Sequence, residues 1–164
     1  MMPAQFLGGG SLLHQVARDL ATALDRRLAP FGLTAQQAAL LVHVSRQPGA
    51  SPSQLMTALG TDTAGMTRLA DRLVAKDLIE RHPNPQDRRS VLIALTEQGQ
   101  ALAPRLGPVF GRVTRQLFNG FSADEVGALT AMLERMASNL ATSTNTLSEP
   151  EQAPAEGPTR YLRG

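Results

Sequence analysis

Between Asp62 and Lys76 the apolar residues Met66, Leu69, Leu73 and Val74 recur at spacings of three and four, and the stretch that follows changes to alternation. A period near 3.6 that gives way to a period of two reads as a helix feeding a hairpin. The helix has to bury the face that carries those four residues. Its other face carries Thr63, Thr67, Arg68, Asp71, Arg72 and Ala75, hydroxyls and guanidiniums with no large apolar group among them. Such a surface suits a polar, anionic partner. Asp62 is placed to cap the helix by accepting a backbone N–H bond, and Lys76 in the last turn suits the negative end of its dipole. Asp77 tolerates the left-handed turn that ends it.

Leu78 to His82 and Ser90 to Leu95 have strand character, and Pro83-Asn84-Pro85-Gln86-Asp87-Arg88-Arg89 between them reads as the tip of a hairpin. Arg88 and Arg89 on a proline-stiffened tip are held where they can enter a narrow groove, as minor-groove recognition requires. Asp87 beside them can pair with one guanidinium and fix the direction of its fork. Upstream, Ser51-Pro52-Ser53-Gln54 is a capping box with proline at the first helical position, opening a short helix to Leu59, and Gly60-Thr61 turn the chain. A short helix, a tight turn with Gly and a second helix with a polar outer face have the spacing of a helix-turn-helix, and the hairpin supplies a wing. The fold expected is mainly α with a small β-hairpin, a winged helix-turn-helix.

From Leu59 to Gly99 the order LG…TRL…RL…K-x-L-I-x-R…P…D-R-R-S…LT-x-x-G resembles the MarR family of bacterial transcriptional regulators. By element order the resemblance extends from Leu12 to Leu140. It implies a two-fold dimer whose recognition helices enter successive major grooves of a pseudo-palindromic double-stranded operator, with wing arginines in the flanking minor grooves. The family's D-x-R of the wing falls on Asp87 and Arg89. One departure is Asp77, where the family commonly has Gly. On this reading the DNA-contacting set is Ser53, Thr63, Thr67, Arg68, Arg72, Arg88 and Arg89, with Asp87 orienting the wing. Arg68 is the best candidate for base readout, Thr63 and Thr67 suit phosphates or a thymine methyl, and His82 at the wing base suits phosphate.

Composition narrows the alternatives. A chain of 164 residues, 42% of them hydrophobic, can fill one real core. With no cysteine there is no disulfide framework or thiol switch, which excludes the cysteine-dependent peroxide-sensing branch of the family. A net charge of +2 argues weakly for DNA, but every basic residue except Lys76 is arginine, the side chain suited to bidentate contacts with guanine and phosphate. Coding bias explains that preference equally well. His14, His43 and His82 lie on separate elements, so no metal site is expected, and no cofactor. No catalytic signature is present: no G-x-S-x-G, Walker loop, H-E-x-x-H or dinucleotide fingerprint. The chain is read as a non-enzyme. It has no apolar run of membrane-spanning length and no signal-peptide pattern at 1–10, so a cytoplasmic protein is expected.

In chain order, residues 1–10 read as a flexible arm, because they carry a proline and a Gly triplet. Leu12, Leu13, Val16, Ala17, Leu20, Leu24 and Leu28 make a helical stripe with Ser11 as its cap, ended by Pro30 and Gly32. Thr34-Ala35-Gln36-Gln37 is a second capping box, opening an apolar helix expected beneath the helix-turn-helix. Thr96 caps a helix from Glu97 to about Phe118 in which Pro104 and Pro108 predict a kink or break between Ala101 and Gly111. Ser122 to Glu125 is a third capping box, opening a last helix through Leu140. Residues 11–32 and 96–142 are assigned to dimerisation, 33–95 to the DNA-binding lobe, and 143–164, rich in Ser, Thr, Pro, Glu and Gly, to a disordered tail. The resemblance implies a repressor released from its operator by a small anionic or phenolic, often aromatic, effector bound between the two parts. His14, Arg18 and His43 are the polar groups placed to meet it. Two other readings stay open: an effector-independent DNA-binding protein controlled by a protein partner, and a small-molecule binding module that has lost DNA contact.

Overall fold

The computed structural model describes residues 4–87 and 90–146, with side chains described for 8–87 and 90–140. Six helices and one hairpin follow in the order α1 (Ala4–Leu28), α2 (Ala35–Arg46), α3 (Pro52–Leu59), α4 (Thr63–Val74), β1 (Ile79–Pro83), β2 (Val91–Leu95), α5 (Glu97–Leu117) and α6 (Ala123–Thr146), with a short 3-10 turn at Ala29–Phe31. This is a mainly α winged helix-turn-helix. The chain divides into two compact units between Asn119 and Gly120, so α6 forms a unit apart from the rest.

The core of the first unit is built around α2, which touches α1, α3, α4, α5 and β2. Leu40, Leu41 and Val44 of α2 are buried with Leu28, Leu55, Leu73, Ile79, Ile93 and Leu106 in one cluster. The apolar helix therefore does lie under the helix-turn-helix. Its start is held by three side chains: Thr34 and Gln37 form the capping box, and Asp25 of α1 accepts the Ala35 N–H at 2.6 Å. The remaining boxes form as well. Ser51 and Gln54 cap α3, Thr96 caps α5, and Ser122 with Glu125 opens α6. The Ser122 backbone N–H and then its hydroxyl hold the Glu125 carboxyl below its ordinary pKa.

The hairpin is antiparallel, with Ile79 opposite Leu95 and Pro83 opposite Val91. Ile79 and Ile93 are buried on its inner face, and the Ile93 N–H donates to the Ala50 carbonyl, which ties the base of the wing to the segment before α3. The tip is closed by Asn84, whose side chain accepts from the Gln86 N–H and donates to the Ser90 hydroxyl, more than by its prolines.

Three helices differ from expectation in extent or continuity. Ser11 is not a cap, because α1 begins at Ala4 and runs through the Gly8–Gly9–Gly10 triplet where an arm was expected. Each helical glycine costs only about 1 kcal/mol, and extending an existing helix avoids the cost of a new nucleus. At the other end α6 continues to Thr146, beyond the expected boundary at 142, while the rest of the expected tail lies outside the described residues. Of the kink or break expected in α5, the break does not occur: one helix runs from Glu97 to Leu117 through both prolines. Pro104 and Pro108 are exposed, and Ala103, Leu106, Val109 and Val113 form a buried stripe on both sides of them. Burying each of the larger side chains contributes about 1.5–3 kcal/mol, enough to offset the backbone bonds the prolines remove.

Candidate nucleic-acid interface

Helices α3 and α4 are joined through Gly60, in the left-handed region at φ 59°, and Asp62, whose carboxylate accepts the Gly65 N–H at 2.6 Å. In the first turn of α4, Gly65 lies close to two side chains that a larger residue would have to displace. A Cβ there would lie 2.3 Å from the Thr61 hydroxyl and 2.9 Å from Asp62 Oδ1. At the far end Asp77 takes the left-handed conformation, φ 54°, as its residue type allows.

Met66, Leu69, Ala70 and Leu73 face the core, while Thr63, Ala64, Thr67, Arg68, Asp71, Arg72 and Ala75 are exposed. Val74, expected in the core, is 42% exposed. It follows Leu73 by one position, which turns it to the edge of the stripe that Met66, Leu69, Ala70 and Leu73 bury. Lys76 also differs from expectation: its ammonium donates to the Gly32 carbonyl and closes the turn after α1 instead of serving the α4 dipole.

Across the outer face of α4, Arg68 and Arg72 have no carboxylate partner among the described residues. Thr67 spends its hydroxyl proton on the Thr63 carbonyl at 2.9 Å, which leaves its methyl and its lone pairs to an approaching partner. Ser53 is exposed at the start of α3, its hydroxyl 2.9 Å from that of Ser51.

Asp71, the one carboxylate on that face, is paired with Arg81 of β1 at 2.7 Å. Arg81 is a residue that local pattern alone does not single out. Its signal was its parity with Ile79, which puts it on the strand face turned toward α4. His82 faces the other way and lies 2.9 Å from Glu80. Asp87 is exposed, and its backbone carbonyl accepts from the Ser90 N–H and hydroxyl. Arg88 and Arg89, the expected groove arginines, lie outside the described residues.

The three residues assigned to an effector lie on two helices, His14 and Arg18 on α1 and His43 on α2. His43 lines a cavity of about 200 Å³ between α2 and α5 together with Val42, Arg46, Gly107 and Phe110. His14 and Arg18 are exposed on α1 and do not line it. Arg46 was missed, although its place three residues after His43 on one helix puts both on the same face. Among the described residues no three His, Asp or Glu side chains come close enough to hold a metal ion, and no helix is long and apolar enough to cross a membrane.

Residues 31–90 match the model of the MarR family. The multiple antibiotic resistance protein MarR of Escherichia coli K12 is 34% identical over 128 residues, covering 77% of this chain and 89% of that protein. A crystal structure of a mutant of the E. coli protein complexed with operator DNA superposes with a TM-score of 0.72 at 32% identity, over 80% of this chain and 95% of that one. The structure of BpsR from Bordetella bronchiseptica, a protein whose DNA binding is regulated by 6-hydroxynicotinic acid, superposes with a TM-score of 0.70 at 28% identity, over 79% and 98%.

Proposed function

The chain belongs to the MarR family of transcriptional regulators, and from that membership we propose that it acts as a homodimer that binds a pseudo-palindromic operator, represses by occupying it, and is released by a small anionic or aromatic effector. The observation that carries this reading is the outer face of α4, where Arg68 and Arg72 stand exposed, without carboxylate partners among the described residues, on a helix held by a complete helix-turn-helix. In the proposal residues 33–95 read DNA. Arg68 contacts a base, Ser53, Thr63, Thr67 and Arg72 contact phosphates or a methyl group, and Arg88 and Arg89 enter the minor groove with Asp87 orienting them.

Two observations support the dimer, each in its own unit. On α1, Leu12, Leu13 and Val16 are exposed, and on α6, Met132, Leu133, Met136 and Leu140 are exposed. Apolar stripes of this kind mark an association surface. A two-fold pair of recognition helices would read half-sites about 10 base pairs apart. An effector that altered the spacing of the two helices would lower affinity, since both must fit successive grooves at once. His43 and Arg46 in the α2–α5 cavity suit an anionic group there, and His14 and Arg18 are the proposed further contacts from α1.

The test is selection of bound fragments from a random DNA pool at physiological salt, followed by a mobility-shift titration on the enriched sequence with and without aromatic carboxylates. Enrichment of a pseudo-palindrome is the expected result. Arg68→Ala should then cost about 1–3 kcal/mol of operator affinity and relax preference at one base pair per half-site. If the wild-type protein binds operator and scrambled DNA equally, the reading fails.

A further inference from the structure

A carboxylate on a DNA-reading surface repels phosphate, and Asp71 sits between Arg68 and Arg72 on the exposed face of α4. Its partner is not a neighbour on the helix. Arg81 comes from β1, ten residues on, and meets it at 2.7 Å. The strand places it there. Ile79 and Ile93 are buried on the face of the hairpin that packs on the core, and Arg81 pairs directly with Ile93 in the antiparallel register, so its side chain leaves from that same face. Beyond the edge of the core this face meets α4, and the guanidinium reaches Asp71.

The pair is open to water, with the Arg81 and Asp71 side chains 37% and 57% exposed. Ion pairs this exposed add little to folding stability. This one does join two elements that a DNA reader has to hold at a fixed angle, the recognition helix and the wing. It is the described ion pair that links the two. We infer that Asp71 is a positioning residue: it holds Arg81 against α4 so that recognition helix and wing meet DNA as one rigid reader, and it keeps the Arg81 charge from gripping phosphates indiscriminately. The inference rests on the DNA-binding reading above and adds to it a determinant of specificity that itself touches no base.

The consequence is a split between specific and non-specific binding. In Asp71→Asn the guanidinium is released, so affinity for scrambled DNA should rise and its salt dependence steepen by about one unit of slope, the signature of one more neutralised phosphate. The ratio of operator to scrambled affinity should fall about tenfold, within the range of coupling seen between directly paired groups. Arg81→Gln should lower the ratio without the rise in non-specific affinity. The double variant should lower it no further than the worse single one, and Asp71→Glu, whose carboxylate still reaches the guanidinium, should keep most of it.

The experiment is a shift titration of the full chain and these four variants against the selected operator and a scrambled duplex at several salt concentrations, with thermal unfolding run alongside. Unfolding temperatures within a few degrees of wild type are expected. A ratio unchanged in Asp71→Asn, or equal factors of change on both duplexes, overturns the inference while leaving wild-type operator binding intact. A wild-type protein without operator preference overturns both this inference and the reading beneath it.

Discussion

Gly99→Ala is expected to destabilise this protein by about 3 kcal/mol, the upper part of the usual range for overpacking a close contact. A Cβ at Gly99 would stand 2.1 Å from the Leu78 carbonyl oxygen, 3.1 Å from its carbon and 3.3 Å from the Leu95 Cβ. The oxygen cannot swing aside. It accepts the Thr96 N–H at 3.2 Å, and the neighbouring Asp77 carbonyl accepts the Thr96 hydroxyl at 2.6 Å. Relief would require lifting the first turn of α5 from the wing base, which breaks the cap that Thr96 makes to the Gly99 N–H. Alanine in place of glycine ordinarily favours a helix by about 1 kcal/mol, so the collision decides the sign. Thermal unfolding of the variant should shift down by roughly 10 °C. Gly111 on the same helix, where a Cβ would have no neighbour within 4 Å, is the control and should gain stability on the same change. A melting temperature for Gly99→Ala equal to that of wild type would show that the approach of α5 to β1 is looser than described.

The second large effect falls on Leu73→Ala. Leu73 is fully buried beneath the recognition helix, in the cluster it shares with Leu41, Ile79 and Ile93. Removing it should cost about 2–5 kcal/mol, the transfer term plus that of the cavity left behind. Val74→Ala, one position on, should change stability by less than about 0.5 kcal/mol, because that side chain is 42% exposed. Chemical denaturation of the two variants side by side measures the difference. Similar losses at both positions would mean that Val74 is covered in the assembled protein, which the proposed dimer allows only if its interface reaches the C-terminal end of α4. Since Leu73 anchors the helix that carries Arg68 and Arg72, Leu73→Ala should also weaken operator binding at temperatures where the fold still persists.

The legible parts of this chain were the ones whose causes lie within one turn of backbone. Asp62 to Gly65, Thr34 to Gln37, Ser51 to Gln54, Thr96 to Gly99 and Ser122 to Glu125 are all contacts between residues three apart, and each formed where the sequence placed it. The order of helix, turn, helix and hairpin followed from periodicity and from these caps. So did the polar outer face of α4. The left-handed turn at Asp77 was legible for the same reason, since the residue type itself tolerates it.

Contacts between elements were not legible. Asp25 capping α2, Arg27 donating to Gln116 across 89 residues, the Arg105 guanidinium over the Phe31 ring and Arg81 on Asp71 each need two faces brought together by packing. Lys76 shows the same in reverse: local reasoning assigned it to the dipole of α4, and packing gave it the Gly32 carbonyl. Pro104 and Pro108 predicted a kink or a break, and the break does not occur, because a local rule knows nothing of the buried stripe that runs on both sides of them. Read alone, the chain settles the order of helices and strands, the starts of the capped helices α2 to α6 and the polar face of α4, because those outcomes depend on backbone geometry within three or four residues; the start of α1, which the Ser11 cap misplaced, is the exception. Packing settles what no local rule reaches: Val74 stays in water, α5 continues through its prolines, Arg46 joins His43 beside one cavity, and Arg81 reaches Asp71. Burial and pairing at a distance depend on the summed packing of the whole unit, which no single window of the chain contains.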